Sequence, residues 1–406
     1  MPNSGSPAKI VRFQTFYVQT CIIRTRCCDQ NDRPHHSRSQ PVPHRHLVAW
    51  AVIVLMFPQL AQTLYSPALT DFSQSFGIPP SAAAQVLSVY FLCFALGVVL
   101  WGRLCDSLGR RPALMAGLLL FTTATAAGLG AASFGMLLAS QGLAALGIAT
   151  CSIGVQTVLR DRFQGPALGS VFSLVGMALA LSPALGLFAG AALTRWQGYQ
   201  GVLLALMATA LLLLGWTARR LPETRLRQAR PAPLWPTLQL MLRDRDIWQA
   251  AGLVALFNIA MFSYYATGPF LFARLGLSEA LYGYSGALLA AGAALGAWVN
   301  RRLLAAGHPG TTLVRYAIML MLLAGSAVWL LQDSVWFLLP LALILLAYGM
   351  AIPNLLGAAL HAYGHCLGTA GALFGLLYYL LIGTGMWLAG QSQALGPTLT
   401  VCAILA

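Results

Sequence analysis

The sequence predicts an all-α protein that crosses a membrane about twelve times. Of its 406 residues, 58% are hydrophobic and only 8% are charged, whereas soluble domains draw about 25% of their residues from the charged types. Apolar runs of about 20 residues, the length that a helix needs to cross about 30 Å of hydrocarbon, recur along the chain. Because these runs are long and do not alternate with polar residues, they are typical of helices rather than of barrel strands.

Eleven spans of normal length and a short twelfth follow residue 46. In chain order, the predicted spans are 47–68, 83–102, 112–131, 134–156, 166–192, 198–217, 247–272, 279–299, 312–331, 334–357, 368–390 and 394–406. The last span has 13 residues, whereas a helix needs about 20 to cross the membrane. We therefore expect a truncated final helix. An incomplete reading frame would explain this short span equally well.

A connection of about 29 residues, 218–246, separates the first six spans from the rest. The predicted organisation is therefore an N-terminal six-helix bundle (47–217), a basic linker (218–246) and a C-terminal bundle (247–406). Duplicated six-helix halves are typical of transporters, in which the substrate site lies between the halves at mid-membrane depth.

The arginines predict on which side of the membrane each connection lies. Fifteen arginines follow spans 2, 4, 6 and 8, and only Arg195 and Arg274 lie in the alternate connections. Basic residues concentrate in cytoplasmic loops, so the linker and both termini are predicted in the cytoplasm, with the bundle in a bacterial-type inner membrane. This distribution explains the net charge of +14 without a nucleic-acid partner.

Residues 1–46 differ from the rest of the chain, because they are polar, rich in Arg and His, and lack an apolar run long enough for a signal sequence. They are predicted to be disordered, or to reflect a start codon assigned too early. Their cysteines and histidines lack the paired spacing of zinc sites, so no metal is expected. The chain has no phosphate-binding loop and no catalytic cluster, which argues against an enzyme or a bound cofactor.

The stretch WGRLCDSLGRRP, residues 101–112, concentrates charge between spans 2 and 3. Its informative residues are Gly102, Asp106, Gly109, Arg110 and Arg111. The glycines allow close helix approach and a tight turn. Asp106 and Arg110 are four residues apart and can form an ion pair if the turn is helical. A generic stop-transfer cluster would explain the arginines but would require neither the glycines nor the acid.

This stretch resembles the G-x-L-x-D-R-x-G-R-R motif that the major facilitator superfamily carries between its second and third helices, and it lacks only the first arginine, which is Ser107 here. Other segments resemble the bicyclomycin-resistance type of drug/proton antiporters. They are Leu64–Ala68, Arg160–Asp161, Ser182–Gly186, Leu221–Thr224, Thr267–Phe270 and Ile352–Asn354. The resemblance covers about residues 47–406.

The resemblance implies a major facilitator fold with about twelve helices, which alternates between inward- and outward-open forms and exports small amphipathic compounds in exchange for protons. The gating motif (Gly102, Asp106, Gly109, Arg110 and Arg111) is expected to latch the inner side of the two halves, with its acid held by the N-terminus of a helix starting near Gly368. An antiporter-type motif (Gly176, Pro183 and Gly186) is expected to bend and thin the fifth helix; a purely structural proline kink is the alternative.

The chain departs from similar proteins at three polar positions. Where they have an acid in the first helix, this chain has Thr63, and where they have arginines in the fourth, it has Gln141 and Gln156. Removing one buried charge would cost about 3–5 kcal/mol, whereas removing both partners can be neutral. Proton coupling could instead use acids at helix ends or histidines in a connection. The candidates are Asp71, Asp161, His361 and His365.

Polar residues on spans 1, 4, 7 and 10 outline an uncharged cavity. The candidate lining residues are Gln62, Thr63, Tyr65, Gln141, Gln156, Asn258, Tyr265 and Asn354. Aromatic and amide groups suit neutral or weakly charged amphipathic cargo, although each residue could instead form a helix–helix hydrogen bond.

Two functions follow from these patterns. The first is a monomeric secondary-active exporter of drug-like compounds or of an endogenous metabolite such as a siderophore, powered by the proton gradient. The second is a transport-inactive relative that serves as a sensor or partner, which the lost intramembrane charges and the short final span both favour.

Overall fold

The computed structural model describes residues 44–224 and 234–406. Apart from residues 44–46, which begin the first helix, the predicted N-terminal extension lies outside the described residues. The main helices are α1 (His44–Ser75), α2 (Gln85–Leu108), α3 (Arg110–Leu129), α4 (Phe134–Arg162), α5 and α6 (together Gly165–Arg220), α7 (Arg245–Arg274), α8 (Glu279–Ala305), α9 (Gly310–Leu331), α10 (Leu338–Ala359), α11 (Leu367–Ser392) and α12 (Leu395–Leu405).

The predicted all-α membrane architecture is confirmed. Within the described residues, ten helices are long and apolar enough to cross a membrane. One of them, Ala167–Arg220, has 54 residues, enough for two crossings, and contains α5 and α6. The last helix, α12, has 11 residues and is therefore about 16 Å long.

A two-residue turn joins α5 (165–196) to α6 (199–220). Gln197 has φ −139° and ψ 23°, and Gly198 has φ 61° and ψ −157°, a left-handed φ that glycine adopts without steric cost. The backbone N–H of Tyr199 donates a 2.5 Å hydrogen bond to Asp71 Oδ2. Asp71 therefore caps the first turn of α6.

The connection between α2 and α3 is shorter than the sequence predicts. Residues 103–108 continue α2, and Arg110 already begins α3, so that Gly109 alone is non-helical. Gly109 has φ 107° and ψ 163°, a conformation open to glycine and strained for other residues. The gating motif is therefore two helix ends joined by one glycine rather than a loop.

Two ends of the bundle are distinguished by charge. We define the inner end as the one that carries the arginine-rich connections after α2, α4, α6 and α8, and the outer end as the opposite one. The halves meet where α2 packs on α11, α5 packs on α8, and α1 packs on α7.

The linker contains a helix that the sequence did not predict. Leu234–Arg243 is helical and packs on α7 and α11 with Met241 fully buried. Asp244 follows it and caps α7 by accepting a hydrogen bond from the backbone N–H of Asp246 at 2.9 Å. The hydroxyl of Tyr363, in the α10–α11 connection, donates to Asp244 Oδ2 at 2.8 Å, which fixes the end of the linker to the C-terminal half.

Candidate functional site

A cavity of about 580 Å³ lies between the two halves, a volume within the range of small-molecule sites. Its lining comes from α1, α2, α4, α5, α7, α8, α10 and α11 and contains no Asp, Glu, Lys, Arg or His. The aromatic lining residues are Phe91, Phe94, Phe172, Phe262, Tyr265, Tyr348, Tyr378 and Tyr379. Four amide side chains also line it, at Gln59, Gln62, Gln156 and Asn258.

Four of the eight residues predicted from the sequence lie on this lining, namely Gln62, Gln156, Asn258 and Tyr265, together with Gly176 and Pro183 of the antiporter-type motif. Asn258 donates through Nδ2 to the carbonyl of Val254 at 2.7 Å and accepts through Oδ1 from the Tyr348 hydroxyl at 3.3 Å. These bonds connect α7 to α10 and hold an amide and a phenol side by side on the wall.

The other four predicted residues lie away from the cavity. Thr63 is fully buried, faces Gly186 of α5, and donates to the carbonyl of Gln59 at 3.0 Å. Tyr65 and Gln141 are each 1% exposed and lie beside one another between α1 and α4. In each case the polar group faces a neighbouring helix of its own half. The packing partners of the helix, and not the residue type, determine which way the side chain points.

Asn354, the fourth of these residues, belongs to the inner end of the C-terminal half. Its Nδ2 donates to Asn300 Oδ1 at 2.7 Å, which joins α10 to α8. A Cβ atom on Gly310 would lie 2.9 Å from Asn354 Oδ1, so the first residue of α9 packs against the same amide. A neutral pair therefore connects three helices.

The corresponding place in the N-terminal half is charged. Arg110 is 8% exposed, and its Nε donates to Asp161 Oδ2 at 2.9 Å. Its Nη1 lies 3.4 Å from Asp106 Oδ1 and donates to the carbonyl of Cys105 at 3.0 Å. These contacts connect α2, α3 and α4, as Asn300 and Asn354 connect α8, α9 and α10.

Glu223 completes what we call the inner cluster (Asp106, Arg110, Asp161 and Glu223). Its carboxylate accepts from the backbone N–H groups of Arg110 at 2.9 Å and Arg111 at 3.2 Å. An anion at this position satisfies the first donors of α3 and complements the positive end of the helix. Glu223 comes from the segment after α6, and its partners did not follow from the sequence.

Asp106 pairs with Arg110, and its predicted contact with the N-terminus of α11 stays a prediction. Among the described residues, the side-chain partner of Asp106 is Arg110, and its side chain is 39% exposed. Gly102 lies in ordinary van der Waals contact with α11, since an added Cβ would lie 3.9 Å from Ala372 Cβ. The two helices approach more closely farther from the inner end, where a Cβ on Gly383 of α11 would lie 2.6 Å from Leu92 Cγ of α2.

Packing closes the outer end. Ser66 Oγ donates to the carbonyl of Tyr265 at 2.5 Å and lies 2.5 Å from the hydroxyl of Tyr282, so one side chain joins α1 to α7 and α8. Gly283 and Gly286 of α8 pack directly on α5, where an added Cβ would approach Ala191 and Ala184 within 3.1 Å. The cavity therefore lies between a closed outer end and the inner end.

A model of the Major Facilitator Superfamily matches residues 51–386. This chain belongs to the major facilitator superfamily. It is 28% identical to Multidrug resistance protein D of Escherichia coli over 369 residues, covering 87% of this chain and 90% of that protein. It is 26% identical to a chloramphenicol resistance protein of Pseudomonas aeruginosa over 355 residues, covering 84% and 83% of the two chains.

Solved structures agree with the family at the level of the fold. A bacterial homologue of the human lysosomal transporter Spinster, solved inward-facing and unoccupied, matches with a TM-score of 0.69 at 14% identity, covering 90% of this chain and 95% of that one. Family and fold together make this major facilitator protein a multi-pass membrane transporter and not an enzyme.

The outer closure of this transporter gives a first testable prediction. Replacing Ser66 with alanine removes the group that joins α1 to Tyr265 and Tyr282 and leaves a buried hydroxyl unpaired, at a cost of about 1–3 kcal/mol to the outer-closed form. We expect single cysteines at the outer end to react faster with a membrane-impermeant maleimide. Thr70→Ala, which removes a hydroxyl bonded only within α1, is the control and should leave the labelling rate unchanged.

Proposed function

We propose that this major facilitator transporter exports small amphipathic compounds from the cytoplasm by alternating access, driven by the proton gradient and without a bound cofactor. The observation that carries the proposal is the uncharged, aromatic and amide-lined cavity of about 580 Å³ beneath a closed outer end. Aromatic faces bind apolar bodies, and the few amides orient polar groups.

The relatives support export of this class of compound. Two relatives that align with most of this chain are named for multidrug and chloramphenicol resistance. A compound with one aromatic ring and with amide and hydroxyl groups matches the lining of this cavity in size and polarity.

Proton coupling would have to use a carboxylate outside the cavity. Asp161 accepts from Arg110 Nε and from the Thr224 hydroxyl at 3.2 Å, and its side chain is 12% exposed. Asp71 caps α6 at the outer end. His361 is exposed, and the side chain of His365 lies outside the described residues. We propose Asp161 and Asp71 as the carriers to test first.

The decisive experiment measures accumulation of chloramphenicol and a panel of aromatic amides in an efflux-deficient host, before and after an uncoupler collapses the proton gradient. We expect lower accumulation with the transporter, and loss of that effect with the uncoupler. Export that survives the uncoupler would contradict proton coupling. No export of any compound would contradict the proposed function and favour a sensor or partner role.

A cavity-filling variant tests whether export uses this site. Gly176 lines the cavity and an added Cβ meets no atom within 4 Å, so a side chain can start from this position, and we use Gly176→Trp to reduce the cavity volume. We expect a loss of export of at least tenfold at normal expression. Gly135→Trp, at the equally open outer start of α4, is the control and should export normally.

We further propose an inner-membrane monomer with both termini in the cytoplasm. The arginine-rich connections at the inner end support this orientation. Cysteines introduced at the exposed positions 243 and 306 would then react only with permeant reagents in intact cells.

A further inference from the structure

Two arginines extend the cavity lining toward the inner end. Gln156 and Ala297 line the cavity on α4 and α8, and Arg160 and Arg301 follow them by four residues. Residues four apart lie on the same face of a helix, one turn along. Both arginines are exposed, so each stands beyond the last uncharged lining residue of its helix.

Arg160 directly contacts the cavity wall. The centre of its guanidinium lies 5.9 Å from the centroid of the Phe172 ring, which lines the cavity. This distance is within the range of a cation–π interaction. The charge is therefore held at the edge of the aromatic wall.

Among the residues that the structure describes, no carboxylate lies within ion-pair distance of Arg160 or Arg301. Within the part of the chain that the structure describes, the ion pairs within 4.0 Å are those of Arg110 with Asp106 and Asp161 and that of Arg274 with Asp333. Asp161 is the neighbour of Arg160 in sequence, but its carboxylate faces Arg110 and Thr224. Within this described part, Arg160 and Arg301 thus place two positive charges without an ion-pair partner at this entrance.

The other lining helices present no charge at the same level. One turn beyond their innermost lining residues, α1, α2, α5, α7, α10 and α11 carry only uncharged residues: Ala51, Val52, Gly97, Val98, Leu168, Gly169, Ala250, Ala251, Ala359, Leu360, Phe374 and Gly375. Among the described residues, the inner entrance is therefore uncharged on six lining helices and cationic on two.

We propose that the preferred cargo is an amphipathic anion, with an aromatic body in the cavity and one carboxylate or sulfonate group against Arg160 and Arg301. This inference rests on the proposed function and narrows its substrate class. Two opposite charges about 6 Å apart, at an effective dielectric constant of about 40, change an affinity by about tenfold. Each arginine should accordingly favour an anion about three- to tenfold over an uncharged analogue.

The test uses three dansyl compounds of similar size: dansylglycine, its uncharged N-methylamide, and the dansyl amide of (2-aminoethyl)trimethylammonium. Uptake is measured in everted membrane vesicles, which offer the compounds to the inner end. We expect the ratio of initial rates at low concentration to favour the anion over the amide, and the amide over the cation.

Matched variants assign the selectivity to the arginines. Arg160→Gln and Arg301→Gln should each lower the anion-to-amide ratio by about three- to tenfold, while uptake of the amide continues and Arg160→Lys keeps most of the preference. Arg162→Gln, which removes another exposed charge two residues along α4, should leave the ratio unchanged.

The outcomes separate the two proposals. Equal or faster transport of the uncharged amide by the wild type, or an unchanged ratio in both Gln variants, would overturn the anion preference alone. If the wild type transports none of the three dansyl compounds, the anion preference is overturned. If it also exports no compound of the chloramphenicol panel, the proposed function is overturned as well.

Discussion

Replacing Asp161 with asparagine should destabilise the protein by about 3 kcal/mol, the lower end of the cost of leaving a buried charge uncompensated. Arg110 and Asp161 are 9% and 12% exposed at their side chains and lie 2.9 Å apart. Asp106 would remain as the partner of Arg110, but it is farther away, at 3.4 Å, and more exposed. We expect a lower midpoint of thermal unfolding in detergent and reduced steady-state abundance.

The outer end provides a matched control. Arg274 and Asp333 form an ion pair at 3.3 Å, with side chains 60% and 85% exposed. Solvent screens such a pair, so Asp333→Asn should leave the unfolding midpoint unchanged within error. An equal decrease of the unfolding midpoint in the two variants would show that burial of the Arg110–Asp161 ion pair contributes nothing to stability.

Replacing Gly186 with alanine should have a comparably large effect through packing alone. A Cβ at this position would lie 1.8 Å from Thr63 Oγ1 and 2.7 Å from Thr63 Cβ, so α1 and α5 would have to separate. Overpacking of this kind costs about 1–3 kcal/mol. We expect a lower unfolding midpoint, less folded protein and a corresponding loss of export.

A second substitution tests that mechanism. Thr63→Gly removes the atoms that clash, and the Thr63 hydroxyl bonds only to carbonyls of its own helix, Gln59 and Leu60, so its loss leaves no buried group unpaired. The double variant Thr63→Gly with Gly186→Ala should recover most of the lost stability. Gly169→Ala, on the same helix with no atom within 4 Å of the added Cβ, should be neutral. Absence of recovery would contradict the steric explanation.

The number of helices and their order could be predicted because a helix needs about 20 apolar residues to cross the bilayer. Each such run can be recognised from its own sequence, without knowledge of its neighbours in the fold. The lengths of the connections could not. Charged residues after span 2 indicated a loop, but a helix can carry charge beyond the hydrocarbon, and α2 continues to Leu108. Only Gly109 breaks the helix, because its φ of 107° is strained for any residue with a Cβ.

The side of a helix that faces the cavity was only partly predictable. Gln62 lines the cavity and Thr63, its neighbour, does not; the two differ by about 100° around α1. Which of them faces inward depends on Gly186 of α5, which receives Thr63. Likewise, Glu223 caps α3 from 113 residues away, a relation that exists only once six helices are assembled.

The linker acts as a tether of defined length. Its first residues are held to the N-terminal half by Glu223, and its last are held to the C-terminal half by Asp244 through Tyr363. The chain from Thr224 to Leu234 can span at most about 36 Å when fully extended. A connection of this length keeps the two halves at an effective concentration on the order of millimolar, so their reassociation after each opening is an intramolecular event that does not depend on how much protein the membrane contains.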